Sequence, residues 1–128
     1  MNSHFIKEKI AAKISQILDA EIPVDIAELD NINSSYGRLF YEGIKTDSST
    51  MQNFHRFKFR WYDEKWDVGL DRIHLLENTL REAMPETFSD NSNIFHVRYY
   101  TINASSFNRE NIGGNLFYCA ELIFSIIF

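Results

Sequence analysis

The stretch FHRFKFRWYDEKWDVGLDRIHLLENTLREAMP, Phe54–Pro85, decides the fold of this chain. Its first part alternates apolar and basic residues, which is the period-two pattern of a half-buried strand. The apolar face consists of His55, Phe57, Phe59 and Trp61. The opposite face consists of Arg56, Lys58 and Arg60. The sequence therefore predicts a strand over Phe54–Tyr62 with one face in the core and one basic face.

From Trp66 the spacing of apolar residues changes to every third or fourth position, which predicts an amphipathic helix. The apolar stripe consists of Trp66, Leu70, Ile73, Leu76, Leu80 and Met84. Pro85 is expected to end this helix, because proline disfavours helical geometry in the preceding residue. A helix with one apolar face directly after a half-buried strand predicts that the helix covers the strand.

Before this stretch, residues Ser3–Ala20 have the apolar spacing of a first helix. Val24–Ala27 is predicted as a short strand or an extended lead-in, and Asp30–Ser35 as a loop. Tyr36–Ile44 is predicted as a strand. Lys45–Asn53 is then a polar loop that joins this strand to Phe54–Tyr62 as a hairpin.

After the second helix, Pro85–Asn93 is predicted as a polar loop and Ile94–Ile102 as a strand. In that strand Phe95, Val97 and Tyr99 share one face. Asn103–Gly114 is predicted as a long polar connection that ends in Gly-Gly.

Residues Leu116–Phe128 form the most apolar segment and are predicted as the last strand. One of its faces carries Leu116, Tyr118, Ala120, Leu122, Phe124 and Ile126, and the other carries Phe117, Cys119, Ile123 and Ile127. Two apolar faces indicate a strand that is central in a covered sheet or partly buried by another subunit. The candidate subunit interface consists of Phe117, Ile123, Ile127 and Phe128.

These elements predict one α+β domain over residues 1–128. It has a small mixed or antiparallel sheet of about four strands with two helices packed on one face, in the order helix-strand-strand-helix-strand-strand. The length of 128 residues and the apolar fraction of 45% are sufficient for one packed core.

Composition excludes some classes of protein. A net charge of −5 argues against a protein that coats nucleic acid with its whole surface. The single Cys119 excludes an internal disulfide and fits a reducing cytoplasm. The polar N-terminus predicts no signal peptide, and no apolar run is long enough to predict a membrane span.

The sequence predicts no catalytic, cofactor-binding or metal site. Gly113-Gly114 is isolated from any phosphate-loop pattern. His4, His55, His74 and His96 lack metal-ligand spacing. Cys119 has no adjacent base and is expected to be a core residue.

Four carboxylates, those of Asp63, Glu64, Asp67 and Asp71, cluster around the start of the second helix. We interpret them as favourable charge at a helix N-terminus, with Asp63 or Asp67 as its cap. The alternative, a pair of carboxylates for acid–base catalysis, requires a pocket around them.

The basic stripe Arg56, Lys58 and Arg60 allows two interpretations. In the first it is the solvated face of a strand, paired across the sheet with Glu42 or another acid. In the second it is a partner or channel face that meets an acidic subunit or makes non-specific phosphate contacts with passing DNA.

The element order resembles the tail-terminator and minor-capsid proteins of long-tailed bacteriophages. The matching segments are Phe5–Leu18, Tyr36–Ile44, Phe54–Tyr62, Leu70–Met84, Ile94–Ile102 and Asn115–Phe128. The loop Asn108–Gly114 before an aromatic-rich strand is similar to the polar turn before the terminal strand of that family.

The resemblance implies a structural protein of the virion, not an enzyme, made in the host cytoplasm and placed at the tail–neck junction. It implies a homo-hexameric ring that caps the tail tube and contacts the tail-tube protein and the neck or head-completion proteins. It implies no cofactor and no membrane.

Two alternatives stay open at this stage. One is a head-completion or neck connector protein, which also uses a small α+β protomer. The other, of a different class, is a ligand-binding or enzymatic α+β domain with a pocket between sheet and helices, in which polar groups such as His96, Tyr100 and Asp71 converge.

Overall fold

A computed structural model describes residues 3–22 and 36–128. The helices in these ranges are α1 (Ser3–Leu18) and α2 (Trp66–Glu82). The strands are β1 (Tyr36–Thr46), β2 (Asn53–Asp63), β3 (Glu86–Ser89), β4 (Ile94–Val97), β5 (Tyr99–Ile112) and β6 (Asn115–Ile127). The predicted short strand or lead-in at Val24–Ala27 and the predicted loop at Asp30–Ser35 lie outside the described residues.

Four of the strands form an antiparallel sheet in the order β1-β2-β6-β5, so β6 lies between β2 and β5. Phe57 on β2 is opposite Tyr41 on β1 and Phe124 on β6. Because side chains alternate between the two faces of a sheet, these three residues lie on the same face. The short strands β3 and β4 form a separate antiparallel hairpin.

The core lies between the sheet and the two helices. Its central strand residues are Phe57, Phe59, Trp61, Ala120, Leu122, Phe124 and Ile126, all at most 3% exposed. At Gly69, α2 approaches the sheet so closely that an added Cβ would lie 3.2 Å from Cβ of Ala120. The helices therefore cover one face of the sheet, which we call the covered face. The opposite side, which we call the open face, has a smaller buried cluster of its own, formed by Tyr62, Phe117 and Cys119.

In α2 the predicted apolar stripe is confirmed at its centre and wrong at its ends. Ile73, Leu76 and Leu80 are at most 3% exposed. Trp66 at the first helical position and Met84 after the last one are 60% and 78% exposed.

The start of α2 also differs from the prediction. The residue at the N-cap position is Lys65, and no side chain caps the helix there. Instead, the carboxylate of Asp63 accepts a hydrogen bond of 2.8 Å from the backbone N–H of Lys65, just before the helix. Neither Asp63 nor Asp67 is the N-cap residue.

The segment predicted as the loop Pro85–Asn93 contains a strand, because Glu86–Ser89 pairs with Ile94–Val97. The predicted strand Ile94–Ile102 is broken at Arg98, between β4 and β5. The interruption changes which residues are buried. Tyr100 is 8% exposed and Tyr99 is 43% exposed, opposite to the prediction that Tyr99 shares the face of Phe95 and Val97.

The polar segment Asn103–Gly114, predicted as a loop, is mostly strand. It continues β5 as far as Ile112, which is opposite Asn115 across a two-residue turn. Gly113 and Gly114 adopt φ values of 58° and 85°, the positive values that a tight hairpin turn requires.

The α+β class and the helices on one sheet face are confirmed, but the element order is not the one predicted. The β3–β4 hairpin is inserted after α2. Four strands then follow that helix instead of two.

Candidate interaction surface

The basic stripe lies on the open face, as the alternation of β2 predicts. The side chains of Arg56, Lys58 and Arg60 are 38%, 26% and 30% exposed. Their neighbours across the sheet are set by strand register, which places Arg38 and Glu121 on the two sides of Arg60. The stripe is therefore part of a mixed charged surface that spans three strands.

Glutamates from the neighbouring strands contact all three cations. Glu42 lies 3.3 Å from Nε of Arg56 and 4.0 Å from Nζ of Lys58. The guanidinium of Arg60 donates a hydrogen bond to Glu121. The interpretation of the stripe as a strand face paired across the sheet with Glu42 or another acid is thus confirmed.

Arg60 is the most firmly held cation of the stripe. Burial alone would lower the pKa of Arg60, but its hydrogen bonds to Glu121 and to the hydroxyl of Tyr62 outweigh that effect and raise it. Arg60 therefore has a structural role that its position in the sequence does not reveal.

Arg38 belongs to the same surface and was missed at the sequence level. It is 4% exposed and lies directly opposite Arg60, and both guanidinium groups lie over the ring of Phe40, at 4.4 and 5.6 Å from its centroid. Alternation along β1 places Arg38 and Phe40 on one face. The glycines of this strand interrupt the pattern of side chains, so the alternation was not recognised in the sequence. A concavity of about 360 Å³ is lined here by Phe40, Tyr41, Glu42, Lys45, Lys58 and Arg60.

The long hairpin of β5 and β6 provides a second exposed surface. The residues Asn103–Arg109 are all exposed. Among the described strands β5 pairs only with β6, so its other edge remains open. Phe107, 39% exposed, stacks on Tyr118 with ring centroids 5.8 Å apart.

The candidate subunit interface on β6 is only partly available at the surface. Phe117 and Ile127 are 0% and 5% exposed within the single chain. Ile123 is half-buried, and Phe128 is 39% exposed. Only Ile123 and Phe128 of the four predicted residues retain surface for a neighbour, because both faces of β6 are largely buried by its own chain.

His55 is a buried histidine on the covered face. It is 1% exposed, its Nδ1 lies 2.7 Å from the hydroxyl of Tyr41, and its ring contacts Phe95 and Phe128. Burial lowers the pKa of His55. The neutral imidazole is therefore the form that this apolar environment favours.

The polar groups named for a ligand pocket are not joined by any contact described for residues 3–22 and 36–128. His96 contacts the hydroxyl of Thr87 on the exposed side of the β3–β4 hairpin. The hydroxyl of Tyr100 donates a hydrogen bond to Glu86, which also lies 2.9 Å from Nζ of Lys13. Asp71 is exposed on α2.

Cys119 is 3% exposed, and burial raises the pKa of its thiol to about 12. A thiol with such a pKa is almost wholly protonated at neutral pH and is a poor nucleophile. Within the described ranges, no group of three or more His, Cys, Asp and Glu residues is placed to hold a metal ion. Nor is any helix in these ranges long and apolar enough to cross a membrane.

No protein-family model matches this chain, and a search of curated proteins finds no match. The interpretation of its function therefore depends on the surfaces described above.

Proposed function

We propose that this chain is a structural virion-assembly protein of the tail-terminator kind. Copies of it associate into a ring, as in the hexamers of the family it resembles, and the ring caps the tail tube and joins it to the neck. Its partners are then further copies of itself, the tail-tube protein and the neck or head-completion proteins.

The observation that carries this proposal is the open edge of β5. A long strand edge that no other described strand covers is a ready site for pairing with another chain. The exposed residues Asn103–Arg109 surround that edge. A protein whose role is to associate with copies of itself and with a tube needs such a surface.

The element order supports the tail-terminator part of the proposal. In the family it resembles, a first helix precedes a strand pair, a helix covers the sheet, and a hairpin provides the last strand. The elements α1, β1, β2, α2, β5 and β6 follow that order, with the β3–β4 hairpin inserted.

The open face supports a contact surface more than a catalytic site. Its concavity of about 360 Å³ is bordered by ion pairs in which each carboxylate already has a cationic partner. The basic stripe Arg56, Lys58 and Arg60 is the proposed face toward a partner or toward DNA that passes through the ring. Such contacts would be non-specific and would weaken with salt.

The proposal is tested by the mass of the purified protein and by its effect on tail tubes. Light scattering or native mass spectrometry is expected to give a closed oligomer, alone or on the end of tubes. Tubes assembled with the protein should be shorter than tubes assembled without it, with the protein at one end in electron micrographs. A protein that stays a single chain and leaves tube length unchanged would contradict the proposal.

A different outcome would select the neck alternative. In that case the protein would bind portal-side rings in preference to tubes. A pull-down with each of the two assemblies, at equal concentration, separates these roles.

A further inference from the structure

Between Ala104 and Asn108, the outer edge of β5 lacks the features that normally protect an edge strand; the register shift of this strand lies before Ala104, and its charged residues begin at Arg109. Edge strands are usually protected by charged side chains, prolines or bulges. The segment Ala104–Asn108 pairs regularly with β6, is exposed throughout, and contains neither a charge nor a proline. Such an edge favours hydrogen bonding with a further strand.

The opposite edge of the sheet is β1, and its two halves differ. Gly37, Arg38 and Leu39 are buried, whereas Phe40–Thr46 is partly or fully accessible. Ile44 in the accessible half is 57% exposed. A strand that pairs with β1 would therefore reach its second half.

Strand direction makes the two edges compatible. Each strand of the β1-β2-β6-β5 sheet runs antiparallel to its neighbour. Consequently β1 and β5 run in opposite directions. If a second copy is placed beside the first with its helices on the same side, its β1 meets β5 in antiparallel orientation.

The side chains at the two edges also match in face and character. Phe107 is opposite Ala120, and Ile44 is opposite His55, and both of these partners are buried on the covered face. Phe107 and Ile44 therefore point to the same side of the sheet. Each is a large apolar residue exposed at an edge, at 39% and 57%.

We propose that β5 of one copy pairs with β1 of the next copy, antiparallel, with Phe107 opposite the partner subunit's Ile44. This inference rests on the proposed ring and names the contact that builds it. In this register Ser106 meets the partner's Lys45 on the open face, and Ser105 meets the partner's Thr46 on the covered face. The contact buries both exposed apolar side chains and provides hydrogen-bond partners for the β5 edge from Ser105 onward, because β1 ends at Thr46.

This pairing is head-to-tail, because it joins two different edges of the same subunit. Head-to-tail contacts generate rings when the rotation between copies closes. Within one copy, the strand register places Phe107 in line with Gly37 of β1, whereas the proposed contact places it opposite Ile44 of the next copy. Neighbouring copies are therefore displaced along the strands. A stagger of this kind accompanies the closure of a sheet on itself.

Cysteine cross-linking tests the register directly. Ile44→Cys and Phe107→Cys proteins are oxidised with copper phenanthroline, separately and as an equal mixture, at a concentration where the wild type is oligomeric. We expect disulfide-linked dimers in the mixture only. The native Cys119 gives little background, because it is 3% exposed and the pKa of its thiol is raised to about 12.

The other outcomes of this experiment overturn the proposal. Dimers from Phe107→Cys alone would indicate two-fold pairing of β5 with a second β5. Absence of linked dimers from every sample of an oligomeric protein would place the interface elsewhere. A chain carrying both substitutions should yield a ladder of linked species that ends at the number of subunits in the ring.

A charge placed on the edge provides the second test. Phe107→Lys is expected to reduce the oligomer to single chains, because it introduces the protection that this edge lacks. The matched control is Leu75→Lys on α2, which replaces an apolar residue of similar exposure, 48%, away from the edge. Circular dichroism and thermal melting establish that both variants remain folded.

The two proposals fail in different ways. If the wild type forms a ring and Phe107→Lys forms a ring of the same mass, the edge pairing is wrong, but the proposed ring is not contradicted. A wild-type protein that remains a single chain in solution and on tail tubes would overturn the ring itself.

Discussion

On the covered face of β2, Phe57, Phe59 and Trp61 are at most 3% exposed, whereas on the open face Arg56 and Lys58 keep 38% and 26% of their side-chain surface. The two sets of residues alternate along one strand, so they have the same backbone conformation and are neighbours in the sequence. The covered face is stabilised by apolar burial, which is worth about 25 cal/mol per Å². On the open face, the more exposed ion pairs, such as Arg56 with Glu42, remain near water and contribute about 0–1 kcal/mol each. One face of the strand therefore carries most of the stability, whereas the other keeps charged, ion-paired side chains at the surface.

The largest effect is expected where a charge enters the core beneath the covered face. Leu76→Asp places a carboxylate at a position that is 0% exposed, at a cost of several kcal/mol, about 3–5, which is a large share of the stability of a small domain. The adjacent Leu75→Asp is the control, because Leu75 is 48% exposed and its replacement should cost less than about 0.5 kcal/mol. Urea denaturation measures both. Equal stability of the two variants would mean that α2 faces the sheet differently.

A smaller effect is expected at the best-held ion pair of the open face. Arg60→Gln removes the donor to Glu121, whose side chain is only 16% exposed, and should cost about 1–3 kcal/mol. Arg56→Gln is the comparison, because Arg56 and its partner Glu42 keep 38% and 32% of their side-chain surface; its cost should be about 0–1 kcal/mol. If both variants lose the same stability in urea, the open face does not contain the structural cation that we describe.

The covered face should also make stability depend on pH, through His55. Its folded-state pKa is lowered by burial, so the unfolded chain, with a histidine pKa of about 6.5, binds more protons between the two values. The contribution is therefore present above about pH 6.5 and is lost as the pH falls toward the folded-state pKa. The free energy of unfolding should decrease as the pH falls below about 6.5.

His55→Gln is expected to reduce this pH dependence while leaving an amide to contact Tyr41. His74→Gln is the control, because His74 is exposed on α2. A pH dependence of the same size in the wild type and in His55→Gln would exclude the buried imidazole as its source.

The smallest effect is expected at Lys58. Its ammonium lies 4.0 Å from Glu42, at the limit of an ion pair, and Lys58→Gln should change the free energy of unfolding by less than about 0.5 kcal/mol. If the open face meets nucleic acid, the same variant should weaken binding to a generic duplex and reduce its salt dependence. Fluorescence anisotropy at two salt concentrations measures the affinity for the duplex. Unchanged binding would indicate that Lys58 contacts no phosphate.

The sequence predicted those parts of the fold in which burial imposes a period. The alternation of β2 and the helical spacing of α2 each reflect one buried face, and the pairing of the basic stripe with Glu42 followed from the hairpin of β1 and β2. The segment Asn103–Ile112 could not be recognised in this way. It is an edge strand whose residues are mostly exposed on both sides, so no face imposes a pattern on them. The sequence contains one indication of the β5–β6 hairpin, the pair Gly113-Gly114, which forms its turn.

The surface contacts were less predictable, because they depend on which strands become neighbours. Arg60 meets Glu121 only because β6 is inserted beside β2, and these two residues are far apart in the chain. The burial of Phe117 and Ile127 has the same origin: two apolar faces of β6 were interpreted as a surface for another subunit, whereas neighbouring parts of the same chain cover much of them.

The position of β6 has a consequence for how the protein is made. Of the described strands it is synthesised last, yet it lies inside the sheet and joins the β1–β2 pair to β5. Until it is synthesised, β1 is the only strand of this sheet with which β2 can pair. The tight turn at Gly113-Gly114 lets β5 and β6 pair locally, which is a fast step, whereas the pairing of β6 with β2 closes a long loop and is slower. We therefore expect nascent chains that stop within β6 to be sensitive to proteolysis and prone to aggregation until the strand is complete.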